Sequence, residues 1–139
     1  MYGDQKQPES ANDLGPDTVG VSSYPKSKQK GYRIFQAKCT VCHSAARALN
    51  SEFVTQDEWS RYIKRMWLRP PCCDVCPVIH KEEARAIREF LVYDSEMRKT
   101  GSNALNWKAH RQMLLEEFKV KYPEKYQEMY GTSKQKEGS

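Results

Sequence analysis

Two cysteines and a histidine in the run Cys39-Thr40-Val41-Cys42-His43 constrain this chain more than any other feature. Paired thiols followed at once by an imidazole suit three kinds of chemistry: attachment of a c-type haem, a redox dithiol, or half of a zinc site. In the first, the thiols add across the two vinyl groups on one porphyrin edge, and the two intervening residues set their reach. His43 then lies over the iron as proximal ligand. A thioredoxin-type dithiol needs a preceding strand in a βαβ setting, whereas the residues around this run pattern as helix. A zinc site needs a second ligand pair, which Cys73-Asp74-Val75-Cys76 offers. The five-residue pattern favours one covalent haem c, with Cys39, Cys42 and His43 as its attachment and ligand residues.

Helical periodicity surrounds the motif. Tyr32, Ile34, Phe35, Ala37 and Cys39 predict a short helix running into it from about Lys30. Residues 44–54 are mixed and read as a loop over an apolar surface. Thr55-Gln56-Asp57-Glu58 has capping-box form. Behind it Trp59, Tyr62, Ile63, Met66 and Trp67 recur at intervals of three and four, one face of an amphipathic helix. Pro70 and Pro71 stop that helix, since proline lacks the amide donor. A second helix is predicted over Lys81–Tyr93, with Ala84, Ile87, Phe90 and Leu91 facing inward. Gly101 and Ser102 mark a break. Residues 104–130 predict further helix, anchored by Leu105, Trp107, Met113, Leu114, Phe118 and Tyr122 and interrupted at Pro123. The fold class is therefore all-α. Residues 1–29 form an extended or disordered arm, 30–100 the haem domain, and 101–139 a helical extension and polar tail.

A chain of 139 residues suits one domain with a modest core. No stretch approaches the roughly 18 consecutive apolar residues of a membrane span. The opening residues, Met1 to Pro8, lack the apolar region of an export signal, so either a signal was removed or another route is used. The net charge of +5 is spread along the chain, without a basic block or a nucleic-acid motif. A diffuse positive field suits docking to an acidic protein surface instead of nucleic acid.

Three runs together, Phe35-x-x-x-Cys39-x-x-Cys42-His43-Ser44, Trp59-x-x-x-Ile63-x-x-Met66 and Ile87-x-x-Phe90-Leu91, carry a resemblance. Over about residues 30–95 the chain resembles the small monohaem class-I-like c-type cytochromes that serve as subunits or domains of periplasmic oxidoreductases. Examples are the cytochrome subunits of sulfite dehydrogenases and the haem domains of quinohaemoprotein amine dehydrogenases. The resemblance implies a helical fold around one haem, in which a helix carrying Gly31 and Phe35 crosses one carrying Phe90 and Tyr93. It also implies that Met66 is the distal ligand. The residues themselves leave the sixth position open among Met66, His80, His110, Met97 and Met113. Met/His ligation suits iron that cycles between two oxidation states at raised potential; His80 would instead make a bis-histidine pair.

Cys72, Cys73 and Cys76 lie between Pro71 and Pro77, and this loop departs from the family's pattern. In an oxidising compartment one disulfide with a third free thiol is expected; a copper or zinc site including His80 is the other reading. The expected function is single-electron transfer, not catalysis, within a larger redox complex of partner proteins. The expected compartment is the periplasm, or alternatively the mitochondrial intermembrane space. A haem sensor or enzyme with an open sixth position, and a metal-binding redox module on the cysteine loop, are the competing functions.

Overall fold

The computed structural model describes residues 7–39, 44–68 and 78–131, with Trp67 and Leu68 through their backbone alone. Cys42, His43, Cys72, Cys73 and Cys76 lie outside the described residues. Among the described residues the chain is helical and contains no strand. In chain order come a 3₁₀ turn Ala11–Leu14, α1 (Lys26–Lys38), α2 (Ala46–Leu49), α3 (Gln56–Leu68), α4 (Lys81–Lys99), a 3₁₀ turn Gly101–Asn103, α5 (Ala104–Lys121) and α6 (Pro123–Tyr126). A π-helical turn, Gln127–Gly131, closes the described chain. No described helix is long and apolar enough to cross a membrane.

The principal packing event is the crossing of α1 over α4. Helix α1 buries Gly31, Tyr32 and Phe35, which share one face at intervals of one and three. Helix α4 opposes them with Ala84, Ile87, Phe90 and Leu91, the inner face expected from the sequence. The ring of Phe90 lies 5.1 Å from Tyr32 and 5.9 Å from Phe35. Gly31 stands at the closest approach: a Cβ there would overlap the Ala86 carbonyl oxygen and lie 2.9 Å from the Phe90 Cβ. The crossing at Gly31, Phe35 and Phe90 is thus present. Tyr93 sits beside it, packed edge-on against Tyr24 at 4.9 Å and under the Lys28 ammonium.

Capping chemistry sets where α3 and α4 begin. The Glu58 N–H donates to the Thr55 hydroxyl at 3.2 Å, and the Thr55 N–H donates to the Glu58 carboxylate at 3.0 Å. The Thr55 N–H and the Val54 N–H, which donates to the same carboxylate at 2.9 Å, hold the Glu58 carboxyl below its usual range. At α4 the His80 N–H donates to Glu83. Glu83 also pairs with Lys38, whose ammonium donates to the Val78 carbonyl at 2.6 Å. The end of α1 is thereby tied to the start of α4.

Three elements differ from expectation. Helix α1 starts at Lys26, directly after Pro25, because proline is well placed to begin a helix. Residues 46–49 form a helical turn instead of a loop, burying Ala46, Ala48 and Leu49. Helix α4 runs to Lys99, past the expected end at Tyr93, and stops where Gly101 takes a positive φ of 62°.

The N-terminal arm, expected to be extended or disordered, has little regular structure over residues 7–25 but is firmly attached. Asp13 pairs with Arg47, Asn12 accepts from Arg111, and the Tyr24 hydroxyl donates to buried Asp94. These polar anchors add to the few apolar contacts of the arm, in which Val19, Val21 and Tyr24 pack on the main core. Helix α5 meets it: Ala11, Leu114 and Phe118 form a second small core, with Leu14, Tyr122, Tyr126 and Tyr130 around it. The C-terminal extension therefore packs on its own chain.

Candidate functional site

Cys39 caps the C-terminus of α1, its N–H bonded to the Phe35 carbonyl at 2.9 Å. The helix axis delivers its thiol into the main core, where only 4% of the residue is exposed. Burial pushes the thiol pKa up to about 12. A redox dithiol works through a stabilised thiolate, and this environment does the opposite.

Helix α3 faces the same core. Its period places Trp59, Tyr62, Ile63 and Met66 along one stripe. Trp59 is locked by a hydrogen bond from its indole N–H to Ser95 at 2.9 Å. Tyr62 stands edge-on to Trp59 at 5.4 Å and to Phe53 at 6.1 Å. Its phenol is pushed well above the usual range by burial and then by Cys39. Among the described residues the buried Tyr62 hydroxyl has no hydrogen-bond partner. Met66, half-buried, packs against the cluster that contains Cys39.

Between α3 and α4 opens a cleft of about 850 Å³, within the range of cavities that hold cofactors. Ile63 and Ala84 form its apolar lining, and Lys64, Lys81, Arg85 and Arg88 surround them with Ser60 and Glu82.

Of the four expected haem contacts, Cys39 and Met66 are brought to one core. The other sixth-ligand candidates are elsewhere. His80 is exposed at the start of α4, and Met97 and Met113 are exposed at 46% and 62%. The His110 Nε2 lies 2.9 Å from the Asn50 Oδ1, and its pKa is lowered by burial and by Arg98 and Arg111. Among the described residues no group of three or more His, Cys, Asp or Glu is arranged to hold a metal.

The sequence reading missed a buried polar network at the end of α4. Arg98 forks onto Asp94 at 2.6 and 2.9 Å, and Asp94 accepts from Tyr24. Lys99, 5% exposed, donates to the Ser51 and Phe53 carbonyls at 2.9 and 2.8 Å, with its ammonium near the faces of Trp59 and Trp107. Burial, with help from Arg98, lowers its pKa to about 7. The signal was available: the inner series Ile87, Leu91, Ser95 continues at intervals of four to Lys99.

Comparison of the chain with protein-family models, with curated proteins and with solved structures yields no match.

Proposed function

We propose that the chain is a cytochrome-like electron carrier that holds one covalent c-type haem and transfers single electrons without acting as an enzyme. The observation that carries this reading is the Cys39-x-x-Cys42-His43 run opening at the buried end of α1. The described residues fit a porphyrin in their chemistry. Cys39 lies in apolar surroundings, and Met66 faces the same core. The adjoining cleft, whose lining includes neither Cys39 nor Met66, brings apolar Ile63 and Ala84 together with Lys64, Lys81, Arg85 and Arg88, side chains that suit an apolar ring bearing carboxylates.

In this reading Cys39 and Cys42 hold the ring by thioether bonds, His43 is the proximal ligand and Met66 the distal one. The haem supplies a reversible one-electron change between ferric and ferrous iron. The protein sets its potential through ligand choice, burial and hydrogen bonding. Trp59, Phe53 and Tyr62, packed edge to face, exclude water from that side of the core. Covalent haem places the protein outside the cytoplasm, in a periplasm or, alternatively, a mitochondrial intermembrane space. Its net charge of +5 suits acidic redox partners, with which it forms part of a larger complex.

Optical spectroscopy with redox titration tests the assignment. Met ligation gives a weak charge-transfer band at the red end that disappears on reduction. A high-spin spectrum would favour an open sixth position and hence a sensor or enzyme. Docking to an acidic partner should slow as salt rises, since exposed charges are screened over about 8 Å at physiological ionic strength.

A further inference from the structure

A second pocket, of about 440 Å³, opens where the arm, the end of α4 and the first turns of α5 meet. Its size falls in the range of small-molecule sites, and its lining includes neither Cys39 nor Met66. Pro16, Val19 and the Trp107 ring supply apolar surface. Arg98, Asn106 and His110 supply polar groups, and none of the described lining residues is acidic.

Arg98 is a fixed donor. Its Nε and Nη2 grip Asp94, Nη2 also donates to the Leu49 carbonyl, and the guanidinium lies 5.3 Å over the Trp107 ring. Its Nη1 makes no hydrogen bond among the described residues, so one amino group is held in place without an acceptor. The tautomer of His110 is fixed as well. The Asn50 amide nitrogen donates to the Asn12, Pro16 and Ala46 carbonyls. Its Oδ1 is therefore the acceptor at His110, which donates from Nε2. Nδ1 is left to take the next proton, which burial opposes, and then Arg98 of α4 and Arg111 of α5.

Positive charge is in excess here. Arg98 has Asp94, and Arg111 has the exposed Glu52. Lys99, its ammonium 5.0 Å from the Trp107 ring centre, has only the Ser51 and Phe53 carbonyls as hydrogen-bond partners. A negative charge in the pocket relieves this crowding, and a neutral or cationic ligand does not. A bare inorganic anion would leave the apolar wall unused.

We propose that this pocket binds a small carboxylate with an apolar body, its charge held by Arg98 and Asn106 and its body against Trp107 and Val19. The site is separate from the haem reading and does not rest on it.

The test is titration of the isotope-labelled full chain with benzoate, followed by NMR, the protein being kept reduced where it carries haem. Benzoate should shift the Trp107 indole N–H and the Asn106 side-chain amide along one saturable, one-to-one curve. Benzyl alcohol has the ring without the charge, and acetate the charge without the ring; each should bind more weakly by about tenfold or more. The His110 ring should titrate at higher pH with benzoate bound, since the anion offsets Arg98 and Arg111. At Gly20, in the pocket lining, a Cβ meets nothing within 4 Å, so Gly20→Leu should fill the pocket and abolish saturation. Shifts that do not saturate, that benzyl alcohol or acetate reproduces at equal concentration, or that Gly20→Leu leaves unchanged would overturn the proposal. Should Gly20→Leu fail to fold, Asn106→Ala decides, because that side chain is exposed. Weakened binding in it supports the site, and an affinity for benzoate equal to the parent's refutes it.

Discussion

Replacing Gly31 by alanine adds one methyl group at the crossing of α1 and α4. In an isolated helix the change would stabilise by about 1 kcal/mol, since glycine is the poorer helix former. Here the new Cβ overlaps the Ala86 carbonyl oxygen and lies 2.9 Å from the Phe90 Cβ, both fixed close to the backbone of α4. Neither can rotate away, so the helices must separate, and overpacking of this kind costs up to about 3 kcal/mol. The net expectation is a loss of about 2 kcal/mol, or a thermal midpoint lower by about 8 °C for a chain of this size. Gly20, around which a Cβ meets nothing within 4 Å, is the control, and Gly20→Ala should be neutral or slightly stabilising. Thermal and urea unfolding followed by circular dichroism measure both. A Gly31→Ala protein as stable as the parent, or more so, would refute the close crossing.

Other outcomes follow from the same geometry. The folded pKa of Lys99 is depressed to about 7, so between pH 7 and about 10 the unfolded chain binds more protons. Stability should therefore rise with pH, by at most about 1.4 kcal/mol per unit. Urea unfolding of Lys99→Met should show a flatter profile, and an equally steep one would assign the effect elsewhere. Phe118, fully buried between α5 and the arm, should cost about 3–5 kcal/mol locally on truncation to alanine. Hydrogen exchange should then speed at Asp13 and Gly15 but not at the end of α1; uniform acceleration would show that the two cores unfold together. If the protein carries the proposed haem, Met66→Ala should lower its reduction potential and give high-spin iron or a replaced ligand, because a thioether raises the potential. An unchanged spectrum would leave Met66 as core alone.

The sequence disclosed the parts of this fold that depend on local rules. The Thr55–Glu58 box, the inward face from Ala84 to Leu91 and the break at Gly101 obey spacing or backbone constraints that need no distant residue. What escaped depends on tertiary partners. The arm of residues 7–25 has too few apolar residues to predict its attachment, yet Asn12, Asp13 and Tyr24 find partners on α5, α2 and α4. The inner series of α4 reaches Lys99, but no local rule announces the Ser51 and Phe53 carbonyls that receive it. At the candidate site the motif named Cys39, and the helical period aligned Met66 with it. That the Tyr62 hydroxyl has no partner among the described residues needed coordinates, since a tyrosine on an apolar stripe normally finds one.

Mass spectrometry of the denatured protein, made with a working haem attachment system, tests the central claim most directly. One Cys-x-x-Cys-His run exists in the chain, so the mass should exceed that of the polypeptide by a single haem. Cys39→Ala together with Cys42→Ala should abolish the addition. An unmodified mass for the parent would contradict the account.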